Sequence, residues 1–244
     1  MKQMVILSGK GGTGKTTVSA GLAVLACRDA NTVLVDADVD AANLELVLEP
    51  ELQEEQVFHA GLLAEIDPEA CLSCGDCADV CRFDAVLEGL PYEIDPIACE
   101  GCAACMHACP TGAISMLEAA SGRWFRSQTR CGTLFHAELF AGQENSGKLV
   151  TELRTRSRDW ASDHGADMVL VDGPPGIGCP VIAASTGMDL ALLVTEPTIS
   201  GVHDLERIFQ TTRHFQLPAL VVINKADLNR ERAEEIRSFC EANG

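Results

Sequence analysis

The stretch Gly9-Lys10-Gly11-Gly12-Thr13-Gly14-Lys15-Thr16 constrains the fold of this chain more than any other. It contains G-x-x-x-x-G-K-T and stands between a short apolar run, 4–8 (MVILS), and a segment with helical apolar spacing at Val18, Leu22 and Leu25. A buried strand, a glycine loop and a helix in that order make a cradle for phosphate. Glycines let the backbone curl until its N–H groups face an anion, and the helix N-terminus adds partial positive charge. Gly11, Gly12, Thr13, Gly14, Lys15, Thr16 and Thr17 are therefore the expected nucleotide-binding residues. Lys15 is placed to reach the β- and γ-phosphates, and the Thr16 hydroxyl to meet Mg²⁺.

The rest of the chain repeats the strand–helix rhythm. The runs 32–36 (TVLVD), 168–172 (MVLVD), 190–195 (LALLVT) and 219–223 (ALVVI) lack apolar/polar alternation, as expected of parallel strands covered on both faces. Residues 134–139 are a further strand candidate, and helices are expected over 15–28, 148–164, 180–187 and 202–215. Strands alternating with helices predict an α/β fold with a doubly wound, mainly parallel sheet. Residues 62–118 break the rhythm. They are rich in Cys, Asp, Ala and Gly and contain an internal repeat: Ile66-Asp67-Pro68 precedes one cysteine cluster and Ile94-Asp95-Pro96 the next. The expected organisation is a discontinuous nucleotide-binding domain, 1–61 and 119–244, with an α+β insert at 62–118.

Two cysteine runs fill that insert: Cys71-x2-Cys74-x2-Cys77-x3-Cys81 and Cys99-x2-Cys102-x2-Cys105-x3-Cys109-Pro110. This is the bacterial ferredoxin spacing, in which three close thiolates wrap one cluster and the fourth reaches the other. It predicts two [4Fe–4S] clusters, one on Cys71, Cys74, Cys77 and Cys109, the other on Cys99, Cys102, Cys105 and Cys81. Zinc is the competing metal, since thiolates suit it too. Arg82 stands where a proline usually follows the first run. Of the remaining cysteines, Cys27 and Cys240 fall on expected helices and suit a buried small apolar role. Cys131 and Cys179 are candidates for a transferred metal.

The loop with its earlier lysine, Lys10-Gly11-Gly12-Thr13-Gly14-Lys15-Thr16, resembles the deviant Walker A of the MinD/ParA/Mrp and nitrogenase iron-protein class. The resemblance implies that Lys10 acts in trans and that ATP closes a homodimer. It makes Asp38 the group that orients the attacking water, with Asp36 and Asp40 able to share that work. It makes Asp172, before Gly173-Pro174-Pro175-Gly176, the residue that holds Mg²⁺ through water. Lys10, Lys15, Asp38 and Asp172 are thus the implied catalytic set. Asn224, in Asn224-Lys225-Ala226-Asp227, matches an asparagine that reads adenine; N-K-x-D is also a guanine signature, and the deviant loop favours ATP. Relatives continue past the last expected helix with a loop, strand and helix that help enclose the base, so the resemblance implies a truncated C-terminus. Nearly the whole chain resembles MinD-superfamily ATPases with an inserted ferredoxin domain.

Charge narrows the partners. Formal net charge is -18, which argues against nucleic acid and anionic membranes. Residues 66–117 hold nine carboxylates and one base, Arg82, a face for a basic redox protein or simply for water. No secretory signal fits the start and no apolar run approaches a membrane span, so a cytoplasmic chain is expected. The leading expectation is ATP-driven homodimer switching coupled to electron transfer or metallocofactor chemistry, with a redox or metallocofactor protein as partner. A carrier of iron–sulfur or other metal clusters is one alternative. A positioning ATPase of MinD/ParA type with structural clusters is another.

Overall fold

In the computed structural model, which describes residues 1–143 and 145–243, the chain runs β1 (Lys2–Ser8), α1 (Lys15–Ala26), β2 (Thr32–Asp36), α2 (Leu44–Leu48), β3 (Glu51–Ile66), α3 (Asp76–Asp79), β4 (Val86–Leu87), β5 (Glu93–Ile94), α4 (Ala104–Ala108), β6 (Ile114–Thr129), β7 (Gly132–Leu139), α5 (Ser146–Asp163), β8 (Met168–Pro175), α6 (Cys179–Ser185), β9 (Leu190–Thr195), α7 (Ile199–His214), β10 (Ala219–Ile223) and α8 (Arg230–Asn243). Two compact units result. One comprises Met1–Gln56, Arg123–Leu139 and the chain from Ser146 onward; the other comprises Val57–Gly122 and Phe140–Asn145.

The first unit is built on an eight-stranded sheet of order β10-β9-β1-β8-β2-β7-β6-β3. Every pairing from β10 through β7 is parallel, so the sheet is mainly parallel, as the apolar runs predicted. The central strands are covered on both faces: Val5, Ile6, Leu7, Leu34, Val35, Val171 and Leu193 are fully buried. Each such side chain contributes roughly 1.5–3 kcal/mol. The register sets Ile6 beside Asp172 and Asp36 beside Asp172. Two carboxylates therefore stand side by side at the C-terminal edge, where the glycine loop also leaves β1. That edge is where open α/β sheets bind ligands.

Two elements depart from expectation. β3 and β6 are sixteen-residue strands over stretches given no element in the sequence reading. β3 is almost wholly outside the core, so its side chains are free to be Glu, Gln and His and carry no apolar signal.

Beyond residues 57–66 of β3 and 114–122 of β6, the second unit has little regular structure. β4 and β5 are two residues each and pair antiparallel, Val86 with Ile94 and Leu87 with Glu93. Its packed centre is Ala64, Cys77, Cys105 and Ile114. Its two halves repeat one another in backbone as well as sequence. The Asp67 amide donates to Ala113 as the Asp95 amide donates to Ala85, both at 2.8 Å, and Cys71 and Cys99 donate to the carbonyls of Asp67 and Asp95, both at 3.1 Å. Left-handed φ recurs at matched places, Ser73 with Gly101, Gly75 with Ala103 and Asp84 with Gly112. Keeping that conformation where the residue is not glycine shows how closely the turns are imposed.

Candidate functional site

The glycine loop connects β1 to α1 and lines a cavity of about 470 Å³ with Ser8, Gly11, Gly12, Thr13, Gly14, Lys15, Thr16, Thr17, Asp38, Asp40 and Pro175 among its walls. The predicted phosphate residues thus share one cavity with Asp38. Gly14 precedes α1 at φ 91° with no side-chain cap, which leaves the first N–H groups of the helix for an anion. A Cβ on Gly14 would run into the Asn224 amide, so the position needs glycine for space as well as for conformation.

Lys15 is 7% exposed. Its Nζ donates to Asp172 Oδ1 at 3.0 Å and lies 4.0 Å from Asp38 Oδ2. Ser19 Oγ also donates to Asp172 Oδ1, at 2.8 Å. Asp172 Oδ2 and Thr13 Oγ1 are buried without a hydrogen-bond partner. A buried carboxylate with one oxygen unsatisfied suits a magnesium ion and its waters, since Mg²⁺ takes oxygen ligands and keeps much of its hydration. Thr16 and Asp172 would hold that ion, and it would supply charge neutralisation at the phosphates.

The carboxylates of the second strand divide their work. Asp36 is fully buried. Its Oδ2 accepts the amides of Asn43 and Leu44 at 3.0 and 2.9 Å, and its Oδ1 accepts the Asp38 amide at 3.2 Å. With both oxygens turned into the 38–44 loop, Asp36 braces that loop. Burial, then the neighbouring Asp172 charge, push its pKa up to about 7. Asp38 is shifted upward as well, first by burial, although Lys15 opposes this. Asp38 and Asp40 line the cavity.

Lys10 does not point away from its own chain. Its Nζ contacts Glu196 Oε1 at 2.8 Å and donates to Ser200 Oγ at 2.7 Å. The other Glu196 oxygen holds Lys225 Nζ at 2.9 Å, and Lys225 also donates to Gly12 O. The two lysines keep the Glu196 carboxyl below its ordinary range. Asn224 Nδ2 donates to Thr13 O at 2.8 Å. The predicted base-reading amide thus props the phosphate loop from beneath.

In the cysteine-rich unit, one cavity is lined by Cys71, Cys74, Cys77 and Cys109, and a second by Cys81, Cys99, Cys102 and Cys105. Each is small, about 20 Å³. Each takes its fourth cysteine from the other run. Cys77 and Cys105 are buried, whereas Cys74 and Cys102 are exposed. Among the described residues, no three His, Cys, Asp or Glu side chains converge closely enough to hold a single metal ion.

Sequence reasoning missed two groupings. Ser127 Oγ lies 3.0 Å from His136 Nε2, and His136 Nδ1 lies 2.9 Å from Glu45 Oε2. A carboxylate only accepts, so Nδ1 carries the proton and Ser127 donates to Nε2. Ser127 is 1% exposed, too deep for a nucleophile; the chain of bonds fastens α2 to β6 and β7. Burial lowers the His136 pKa to about 4. The second grouping joins Cys131, buried in the turn between β6 and β7, to Cys27 at the end of α1; Cys131 is pushed up by burial and by its hydrogen-bonded neighbour Cys27. In each, one member comes from a distant segment, Glu45 in the first and Cys27 in the second, with no local pattern to expose it. Cys179 is exposed and Cys240 half-buried.

The parallel sheet, the glycine loop at its C-terminal edge and the Lys15–Asp172 pair define a P-loop nucleotide-binding protein of the ATPase class. More particularly, the chain belongs to the CobQ/CobB/MinD/ParA nucleotide binding domain family, whose model matches residues 4–243. An uncharacterised protein of Methanocaldococcus jannaschii is 36% identical over 229 residues, covering 93% of this chain and 79% of that protein. The septum site-determining protein MinD of Bacillus subtilis is 27% identical over 223 residues, covering 90% and 63%. Among solved structures, the septum site-determining protein MinD of Pyrococcus horikoshii complexed with Mg-ADP matches with TM-score 0.52 and 21% identity over 95% of this chain and 72% of that one. The cell division ATPase MinD of Pyrococcus furiosus matches with TM-score 0.52 and 22% identity, over 96% and 78%. These likenesses are of fold. No helix among the described residues is long and apolar enough to cross a membrane.

Proposed function

We propose that this chain is an ATP-binding iron–sulfur protein in which ATP-driven pairing of two copies is coupled to electron transfer or metallocofactor chemistry. The observation that carries the reading is the pair of four-cysteine cavities, each completed by the other run, in a chain of a nucleotide-binding family. The donor set is all sulfur, which suits iron–sulfur clusters. Cys71, Cys74, Cys77 and Cys109 would hold one [4Fe–4S] cluster, and Cys81, Cys99, Cys102 and Cys105 the other; when bound they supply one-electron storage.

The chain's own residues do the nucleotide work. Gly11 to Thr17 present amides and the Lys15 ammonium to the phosphates. A nucleotide draws Lys15 from Asp172 toward the γ-phosphate and frees Asp172 for Mg²⁺. Asp38 orients the attacking water from the cavity wall. Lys10 leaves Glu196 to reach the nucleotide of a second copy. Such catalysis is positioning and charge neutralisation.

The test is anaerobic purification, iron and sulfide analysis, and ATP turnover with the chain oxidised and then reduced. About eight irons per chain, by two four-iron clusters, and a rate that changes on reduction are the expected results. Absence of iron and sulfide from anaerobic material overturns the cluster reading. A second reading, a positioning ATPase with structural clusters, is favoured by the septum site-determining proteins among the curated relatives. It predicts the same rate in both redox states.

A further inference from the structure

Because the two halves of the cysteine-rich unit repeat, every wall position of one cavity has a counterpart in the other. Ile66 matches Ile94, Ala113 matches Ala85 and Gly75 matches Ala103. Matched positions differ in chemistry in both directions: carboxylates Asp76 and Glu88 stand in the first half where the second cavity has Ala104 and Met116, and four differences run the other way. Thr111 faces the first cavity where Phe83 faces the second, and Tyr92 stands where the second has Ala64. Ser73 stands where the second has Gly101, and Leu72 where it has Glu100.

One of these differences, at Thr111, reaches a cysteine sulfur; the Ser73 contact is made by its backbone amide, which the glycine counterpart also carries. Thr111 Oγ1 lies 3.5 Å from Cys109 Sγ, and the Ser73 amide donates to Cys71 Sγ at 3.4 Å. Against a thiolate, only the threonine has a proton to give, so it donates. The Tyr92 hydroxyl sits against Gly75 in the same wall. Among the described residues, the walls of the second cavity carry no hydroxyl: they are Ala64, Phe83, Ala85, Val86, Ile94 and Met116 beside the cysteines, with Glu100 the charged exception.

Reduction adds one negative charge to a cluster and its sulfurs. Hydrogen bonds to those sulfurs stabilise the added charge, and a nearby carboxylate opposes it. Arg82 follows Cys81 and acts the other way; it and Glu100 are both exposed, where water and salt screen them alike, so the hydroxyls carry the difference.

We infer that the two sites are electronically unequal: the one on Cys71, Cys74, Cys77 and Cys109 has the higher reduction potential and holds the first electron, with Thr111 and Tyr92 as its tuning residues. This rests on the cluster reading proposed above. The step is one electron from a one-electron reductant; no bond forms or breaks, and Thr111 keeps its proton.

The test is a dithionite titration of the anaerobic full chain followed by EPR, with iron counted on every sample. Two resolved waves are expected, the reduced-to-oxidised ratios differing by about tenfold at a common potential, 59 mV for a one-electron couple. Thr111→Val moves the upper wave down and leaves the lower in place, and Tyr92→Phe moves the same wave by less. Glu100→Gln raises the lower wave. A single unresolved wave, a lower wave that follows Thr111→Val, or two waves that ignore it overturns the inference while leaving the clusters intact. Should Thr111→Val lose iron, Tyr92→Phe decides by the same criterion. A parent chain with no iron–sulfur signal sinks the cluster reading instead, and the inference with it.

Discussion

The two units hold themselves together by different means. The nucleotide-binding unit rests on a parallel sheet whose central strands bury Val, Ile and Leu completely. Its charges are then set into that frame, Lys15 against Asp172 and Asp36 against three backbone amides. The cysteine-rich unit has no such frame. Its buried apolar residues are Ala64, Cys77, Ala85, Cys105, Ala113 and Ile114, and apart from Ile114 these are among the smallest side chains. A core that small leaves too little burial to offset chain entropy, and domains of this kind need a metal or disulfides. One unit stands on hydrophobic packing; the other, on the cluster reading proposed above, would stand on what its cysteines bind.

The sharpest way to break this comparison is to remove the metal. Chelation of iron from the anaerobic chain should abolish amide protection over 57–122 while leaving β1, β8 and β9 protected, read by hydrogen exchange. Retained protection in the cysteine-rich unit would mean that its small core suffices and the contrast is wrong.

Next in size is Lys15→Ala. It leaves the buried Asp172 carboxylate uncompensated, which costs about 3–5 kcal/mol, and it removes the phosphate-binding ammonium. ATP turnover should vanish while the iron-dependent absorption remains. Loss of both together would show that the units fold as one.

A third expectation concerns pH. His136 is held neutral, with a pKa of about 4 against an ordinary 6.5. A depressed histidine contributes its stability fully above pH 6.5 and loses it as pH falls toward 4, by about 3 kcal/mol. Asp36, raised to about 7, does the opposite over nearly the same range: its protonated form suits the fold, so its contribution falls as pH rises from about 4 through 7. The two trends offset in the parent chain. His136→Gln cannot titrate, so its stability deficit in urea melts should shrink between pH 7.5 and 4.5. A deficit that is the same at both values would show that His136 does not gain its proton on unfolding.

The comparison also explains what was legible beforehand. The parallel strands were readable because burial on both faces leaves continuous apolar runs, as in 168–172 and 190–195. The two cysteine groupings were readable because the two runs repeat at short, regular intervals. β3 was not, because a strand mostly outside the core needs no periodicity, and β6 was not, because several of its buried positions are Ser, Gly and Thr. Neither was the Ser127–His136–Glu45 chain, whose members meet only through the strand order β2-β7-β6. The inequality of the two cysteine cavities lay in the repeat all along, but Thr111 and Phe83 become counterparts only when the walls are known.

The smallest effect belongs to Lys10, and it sharpens the picture of the nucleotide unit most. The Lys10–Glu196 pair is partly exposed, at 29% and 13% of side-chain area, so breaking it should cost no more than about 1 kcal/mol. Lys10 is also outside the set of residues lining the nucleotide cavity. Lys10→Ala should therefore melt like the parent and bind ATP within a few-fold of it, since Lys15 and the loop amides remain. If Lys10 serves a second copy, the same variant stays monomeric with ATP in light scattering while the parent pairs. Glu196→Gln separates this from a local role: it loosens Lys10 without removing it and should favour the ATP-bound pair. An ATP-dependent pair in Lys10→Ala would leave the lysine as a tether for Glu196 within its own chain, and the trans assignment would fall.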